Sequence, residues 1–114
     1  MGSSLTNYLY HIIYGTKHRE PLIQLQFKNT LYAYTGGIIR SLGGTLLRMN
    51  GMSDHVHLVL KLPAALERAD VVKVVKAKSS KWMNENPEYP GKFYWQRGYA
   101  GFTVSASVLP QLLA

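Results

Sequence analysis

Residues 50–63 read Asn50-Gly51-Met52-Ser53-Asp54-His55-Val56-His57-Leu58-Val59-Leu60-Lys61-Leu62-Pro63. From Asp54 to Leu62 the pattern alternates with a period of two. Val56, Leu58, Leu60 and Leu62 fall on one face, and His55, His57, Val59 and Lys61 on the other. This is a strand with one apolar, buried face and one face that carries chemistry. Pro63 ends it, because proline cannot donate to a ladder. Asn50-Gly51 is a strong two-residue hairpin signal, and Thr45 to Met49 is a short apolar partner strand before it. The expectation is a hairpin turning at residues 50 and 51.

Before this hairpin, Phe27, Leu31, Tyr34, Ile38 and Leu42 recur at steps of four and three, the stripe of a helix over 23–42. Gly36-Gly37 interrupts it at some cost in helix stability, which suggests close packing on a neighbour. Gly43-Gly44 stops it. Residues 8–14, Tyr-Leu-Tyr-His-Ile-Ile-Tyr, are aromatic and β-branched and read as a buried strand. A basic connection with Lys17, His18 and Arg19 follows and ends at Pro21.

After the hairpin, residues 66–84 predict a second helix. Val71, Val75 and Trp82 form its apolar side, and Lys73, Lys76 and Lys81 lie opposite. Pro87 to Gly91 is a loop. Phe93 to Ser105 reads as strand, turn and short strand, and residues 108–114 as the first turns of a further helix. The order is βαββαβ: an α+β, ferredoxin-like antiparallel sheet with two helices on one face and a C-terminal helix cut short. The 114 residues form one domain, 1–114.

Composition narrows the function. With 46% hydrophobic and 17% charged residues the chain can build a core. The absence of cysteine excludes disulfides, thiolate metal sites and cysteine catalysis. No apolar run has the length of a membrane span, and the first residues do not read as a signal peptide, so the expected location is the cytoplasm. The formal charge of +7 is the electrostatic footprint of a nucleic-acid binder.

His55 and His57 are the most informative residues. At i and i+2 on a strand they point the same way, with side-chain origins roughly 6 to 7 Å apart. Two imidazoles at that spacing can converge on one metal ion. Asp54 directly before them could orient a ligating histidine. No third acidic or imidazole ligand is obvious. His11 and His18 are the candidates, although His11 within a strand reads better as a packed or hydrogen-bonded side chain. Completion of the shell by water, phosphate or amide oxygen would suit Mg²⁺ or Mn²⁺ acting as a Lewis acid.

The segment Asn50-Gly51-Met52-Ser53-Asp54-His55-Val56-His57-Leu58-Val59 resembles the His-hydrophobic-His motif of the single-tyrosine HUH transposases of small bacterial insertion sequences, to which the REP-associated tyrosine transposases are close kin. The resemblance extends to Tyr10-His11-Ile12-Ile13-Tyr14 with Thr16-Lys17-His18-Arg19. It also extends to Leu31 through Gly44, to Lys76 through Trp82, and to Trp95-Gln96-Arg97-Gly98-Tyr99 with Phe102-Thr103-Val104-Ser105. It implies a homodimeric enzyme that cuts and rejoins single-stranded DNA near a hairpin. A divalent ion on His55 and His57 would polarise the scissile phosphate, and a tyrosine would form a 5′-phosphotyrosine link. The family's tyrosine falls just after Ala114, and its glutamine ligand further on, so neither role is assignable here. The eight tyrosines from Tyr8 to Tyr99 read as packing residues, and Gln111 does not match the ligand's place.

The candidate DNA-binding residues are Lys73, Lys76 and Lys81, with Lys17, Arg19, Arg48 and Arg97 behind them. A non-catalytic single-stranded nucleic-acid module is the alternative, since an aromatic, basic ferredoxin-like sheet can bind by stacking and phosphate contacts. A replication-initiator or relaxase type of HUH nuclease ranks lower, because those often carry a third histidine. The expected result for residues 1–114 is DNA and metal affinity without a covalent adduct. A shifted protein–DNA band on a denaturing gel, after incubation with single-stranded end DNA and Mn²⁺, would overturn it.

Overall fold

A computed structural model describes residues 7–113. The expectation that the first residues do not form a signal peptide, and that of a tyrosine after Ala114, lie outside the described residues. Four strands and two long helices follow the expected order: β1 Asn7–Gly15, α1 Leu25–Ser41, β2 Thr45–Met52, β3 His55–Pro63, α2 Arg68–Glu85 and β4 Ala100–Val104. A short helix α3, Leu109–Leu113, comes last. The sheet is antiparallel throughout, in the order β2-β3-β1-β4. This is the α+β, ferredoxin-like arrangement.

The core lies between the helices and one face of the sheet. Ile12 and Tyr14 of β1 join Val56, Leu58, Leu60 and Leu62 of β3, Phe27, Leu31, Ile38 and Ile39 of α1, and Val71, Val75 and Met83 of α2. Alternation then sends the odd-numbered residues of β1 and β3 to the other face. That open face carries His11, His55, His57 and Val59, and α3 crosses it. Arg48 of β2 donates to the Leu113 carbonyl at 2.8 Å and ties α3 down. Of the two helix glycines, Gly36 faces β2: a Cβ added there would lie 3.5 Å from the Leu46 side chain, in ordinary contact.

Two expectations are corrected. The hairpin does not turn at Asn50-Gly51. Both residues belong to β2 and pair with His57 and Val56, and the chain reverses at Ser53 and Asp54. The reason is tertiary: the Ser53 carbonyl accepts from Ile23 N–H, and the Asp54 carbonyl from Thr16 N–H, each at 2.9 Å. These bonds hold the turn where the connection after β1 passes. Gly51 keeps a different role, since a side chain there would collide with β3 backbone.

Residues 93–99 are not a strand. They make a single β-bridge, Trp95 to Thr16, closed by Lys17 N–H to the Tyr94 carbonyl at 2.9 Å and Gln96 N–H to the Gly15 carbonyl at 2.8 Å. Asn84 explains this stretch. Its side chain donates to the Phe93 carbonyl at 2.9 Å and accepts from the Phe93 N–H at 2.7 Å, doing the work of a neighbouring strand. Phe93 is wholly buried, and its ring meets Trp95 edge-on. The aromatic run thus reflects packing under a loop rather than a ladder.

Candidate metal and nucleic-acid site

The site begins with the register of three strands. β3 places His55 and His57 on the open face with ring centroids 5.1 Å apart. β2 sets Met52 opposite His55 and Asn50 opposite His57. β1 sets Val59 opposite His11, which makes His11 the diagonal neighbour of His57. The His11 Nε2 and His57 Nδ1 atoms are 3.1 Å apart.

Each histidine of the pair is held at Nδ1. Asp54 Oδ1 takes that nitrogen of His55 at 2.8 Å. A carboxylate at Nδ1 fixes the tautomer and leaves the Nε2 lone pair for a ligand. Arg19 completes this corner, with its guanidinium 3.3 Å from Asp54 Oδ2 and 3.4 Å from His55 Nδ1. The hydrogen bond from His55, joined by the charge of Arg19, holds the Asp54 carboxyl below the usual carboxylate range. Burial, then the charges of His55 and His11, lowers the pKa of His57, which favours the neutral ring.

These side chains open into two clefts. One, of about 420 Å³, is lined by Gly15, Arg19, His55, His57, Arg97 and Tyr99, among others. The other runs from His11, His55 and His57 past Arg48 and Asn50 to Gln111 and Leu112 of α3. Two further clefts continue the first: Gln96 and Arg97 lead to Lys17, His18 and Tyr94, and Arg97 to Tyr99 lead to Lys73. The result is a basic surface converging on the histidine pair.

The donor set fits a small hard cation in part. Two imidazoles face one space, and among the described residues no group of three or more His, Cys, Asp or Glu side chains converges. The remaining positions would fall to oxygen from phosphate and water, the usual situation of Mg²⁺ or Mn²⁺ bound with a phosphate substrate.

The structure distributes the other candidates unevenly. Lys73 is exposed and lines the groove. Lys76 is occupied: its ammonium donates to the carbonyls of Gln96 and Gly98, the latter at 2.7 Å, and burial lowers its pKa. It braces the loop that carries Arg97. Lys81 is exposed and stands 4.0 Å from Glu85, one turn on. The Lys17 ammonium lies 5.3 Å above the centre of the half-exposed Tyr94 ring. Arg48 is committed to α3, as above. His18 is exposed and does not line either cleft beside the pair; its backbone N–H donates to Gln96 Oε1 at 3.0 Å. Tyr14 is fully buried, and burial with the nearby Tyr32 raises its pKa, so it is a packing residue. Tyr99 and Gln111 line the clefts without having been singled out for them. Only the fold, which brings residues 99 and 111 back to β3, places them there.

The sequence profile of the IS200-like transposases matches residues 4–113. No curated protein gives a significant sequence match. A solved structure described as a candidate transposase, from Deinococcus radiodurans R1, superposes with a TM-score of 0.76 at 26% identity, covering 94% of this chain and 86% of that one. The REP-associated tyrosine transposase bound to a REP hairpin superposes with a TM-score of 0.69 at 11% identity, covering 93% of this chain and 62% of that one. The profile match spans nearly the whole chain, and the chain belongs to the IS200-like transposase family.

Proposed function

We propose that this transposase domain acts on single-stranded DNA through a divalent cation held by His55 and His57. One observation carries the reading: two imidazoles side by side on β3 line one basic cleft, and the Nδ1 of each is in hydrogen-bond contact with a neighbouring side chain. A bound Mg²⁺ or Mn²⁺ would supply Lewis-acid polarisation of a phosphate oxygen. The chain's own residues do the rest of the positioning. Asp54 orients the His55 ring. Arg19 and Arg97, which both line the cleft, neutralise phosphate charge as it builds. Lys73 and Lys17 extend the phosphate track outward.

The reaction in this reading is attack on phosphorus by a tyrosine hydroxyl, which breaks the bond to the 3′ oxygen. A 5′-phosphotyrosine and a free 3′-OH result, and a 3′-OH can reverse the step without ATP. The nucleophile is not assigned within residues 7–113. The working unit is a homodimer in which the tyrosine helix of one subunit serves the histidines of the other, as the resemblance implies. A DNA hairpin is the preferred substrate, in line with the hairpin-bound structural neighbour.

Fluorescence anisotropy tests the DNA part. A single-stranded hairpin oligonucleotide with an unpaired flank should bind more tightly than a duplex of equal length, with affinity falling steeply as salt rises. Lys73→Ala should lower the salt slope by about 0.7, the loss of one phosphate contact on a single strand. Lys76→Met should weaken binding without lowering the slope, because its ammonium is spent on two carbonyls. Preference for duplex, or salt-independent binding, would sink the proposal.

A further inference from the structure

We propose that His11 is a positioning residue for His57: its Nε2 accepts the Nδ1–H of His57 and so keeps the Nε2 lone pair of His57 aimed at the ligand it shares with His55. This rests on the metal reading above and goes further, by assigning a strand β1 residue to that site.

The argument is one of hydrogen counting. A neutral imidazole carries a single ring N–H. Two ring nitrogens 3.1 Å apart must share one hydrogen between them. If His11 donates, His57 bears its own hydrogen on Nε2 and cannot ligate. If His57 donates from Nδ1, its Nε2 is bare. The second arrangement matches what Asp54 does for His55, whose Nδ1 is engaged at 2.8 Å. Only then do both histidines present the same nitrogen to one ligand.

The packing keeps His11 in this role. Its position opposite Val59 on one side and Phe102 on the other fixes the backbone from both neighbours. The His11 ring lies between His57, at 5.3 Å centre to centre, and Phe102, at 6.3 Å. A neutral acceptor also differs from Asp54 in charge. The site therefore has one anion behind His55 and none behind His57, which leaves more net positive charge for an incoming phosphate.

Long-range ¹⁵N–¹H spectra of the metal-free protein at about pH 8, above the ordinary histidine range, read the tautomer directly. Wild-type His57 should carry its hydrogen on Nδ1. Mn²⁺ affinity, measured by calorimetry, should fall about tenfold to a hundredfold in His11→Phe, the range for loss of a ligand's hydrogen-bond partner. His11→Gln should restore most of it, since its amide oxygen can accept the same hydrogen. If His11→Phe does not fold, the wild-type spectrum and His11→Gln still decide the matter. A wild-type His57 with its hydrogen on Nε2 overturns the assignment. So does unchanged Mn²⁺ affinity in His11→Phe alongside lost affinity in His57→Ala. Unchanged affinity in His57→Ala overturns the metal reading itself, and the positioning role with it.

Discussion

Gly51→Ala should cost this domain about 3 kcal/mol, the upper end for forcing an extra carbon into a packed site. A methyl at position 51 would sit 2.2 Å from the His55 carbonyl oxygen and 2.8 Å from the Val56 Cα. Both are backbone atoms of β3, so no side chain can rotate away to relieve the clash. Gly51 is paired with Val56, in the middle of the register that sets His55 and His57. The strand must therefore part from β2 or slip, and a slip by one residue would exchange the histidine face for the apolar face. Against a total stability of about 5 to 15 kcal/mol, the loss is large. Denaturant unfolding checks it, with Gly37→Ala as the control. That position has no atom within 4 Å of an added Cβ, and it sits inside α1. There alanine should be neutral or stabilise by about 0.5 to 1 kcal/mol. Equal stability of Gly51→Ala and wild type would refute the close-approach account.

The same glycine shows where sequence reading reached and where it stopped. Alternation from Val56 to Leu62 and the stripe from Phe27 to Ile38 are local periodicities, and β3 and α1 follow from them. Asn50-Gly51 is also a local signal, but the turn is placed by bonds from Thr16 and Ile23, over 25 residues away in the chain. Such bonds leave no mark on the turn's own residues. Phe93 to Gln96 failed as a strand for a related reason. β propensity measures fit to a half-buried surface, and here the surface is supplied by Asn84, Ser79 and the core rather than by a ladder.

The site divides in the same way. His55 and His57 share a face by strand geometry alone, so their convergence was legible. The hydrogen bond between His11 and His57 was not, because it depends on the pairing of β1 with β3. His11 was read as packed or hydrogen-bonded, and its partner is His57. The helix face of α2 was read as three equivalent lysines. In the fold they diverge: Lys73 faces the groove, Lys76 braces residues 96–98, and Lys81 stands near Glu85. Spacing gives direction on a helix, but the neighbour met in that direction comes from another element.

Replacing both His55 and His57 by alanine should lower Mn²⁺ affinity by more than about a hundredfold, beyond the loss expected from removing an orienting partner alone. In the proposed site each ring supplies one of two nitrogen ligands, and water would replace it poorly. The single variants should be nearly as severe as the double one, because the two groups act on one ligand and their effects do not add. The fold should survive. Both rings lie on the open face, outside the cluster that α1 and α2 cover, and the His55 side chain is 22% exposed. The losses are local: Asp54 gives up the hydrogen bond that lowers its pKa, and His11 gives up its bond to His57. Hairpin DNA affinity measured with a chelator present should change little, since Lys73, Arg97 and Lys17 are untouched. Metal-dependent strand cleavage in a form that carries the nucleophile should vanish. This pattern separates a strand-transfer enzyme from a binding module that uses the same basic face: in the module, the histidines would be dispensable and Mn²⁺ would bind weakly from the start. Tight Mn²⁺ binding by the double variant would remove His55 and His57 from the metal site and leave the basic clefts as the domain's working surface.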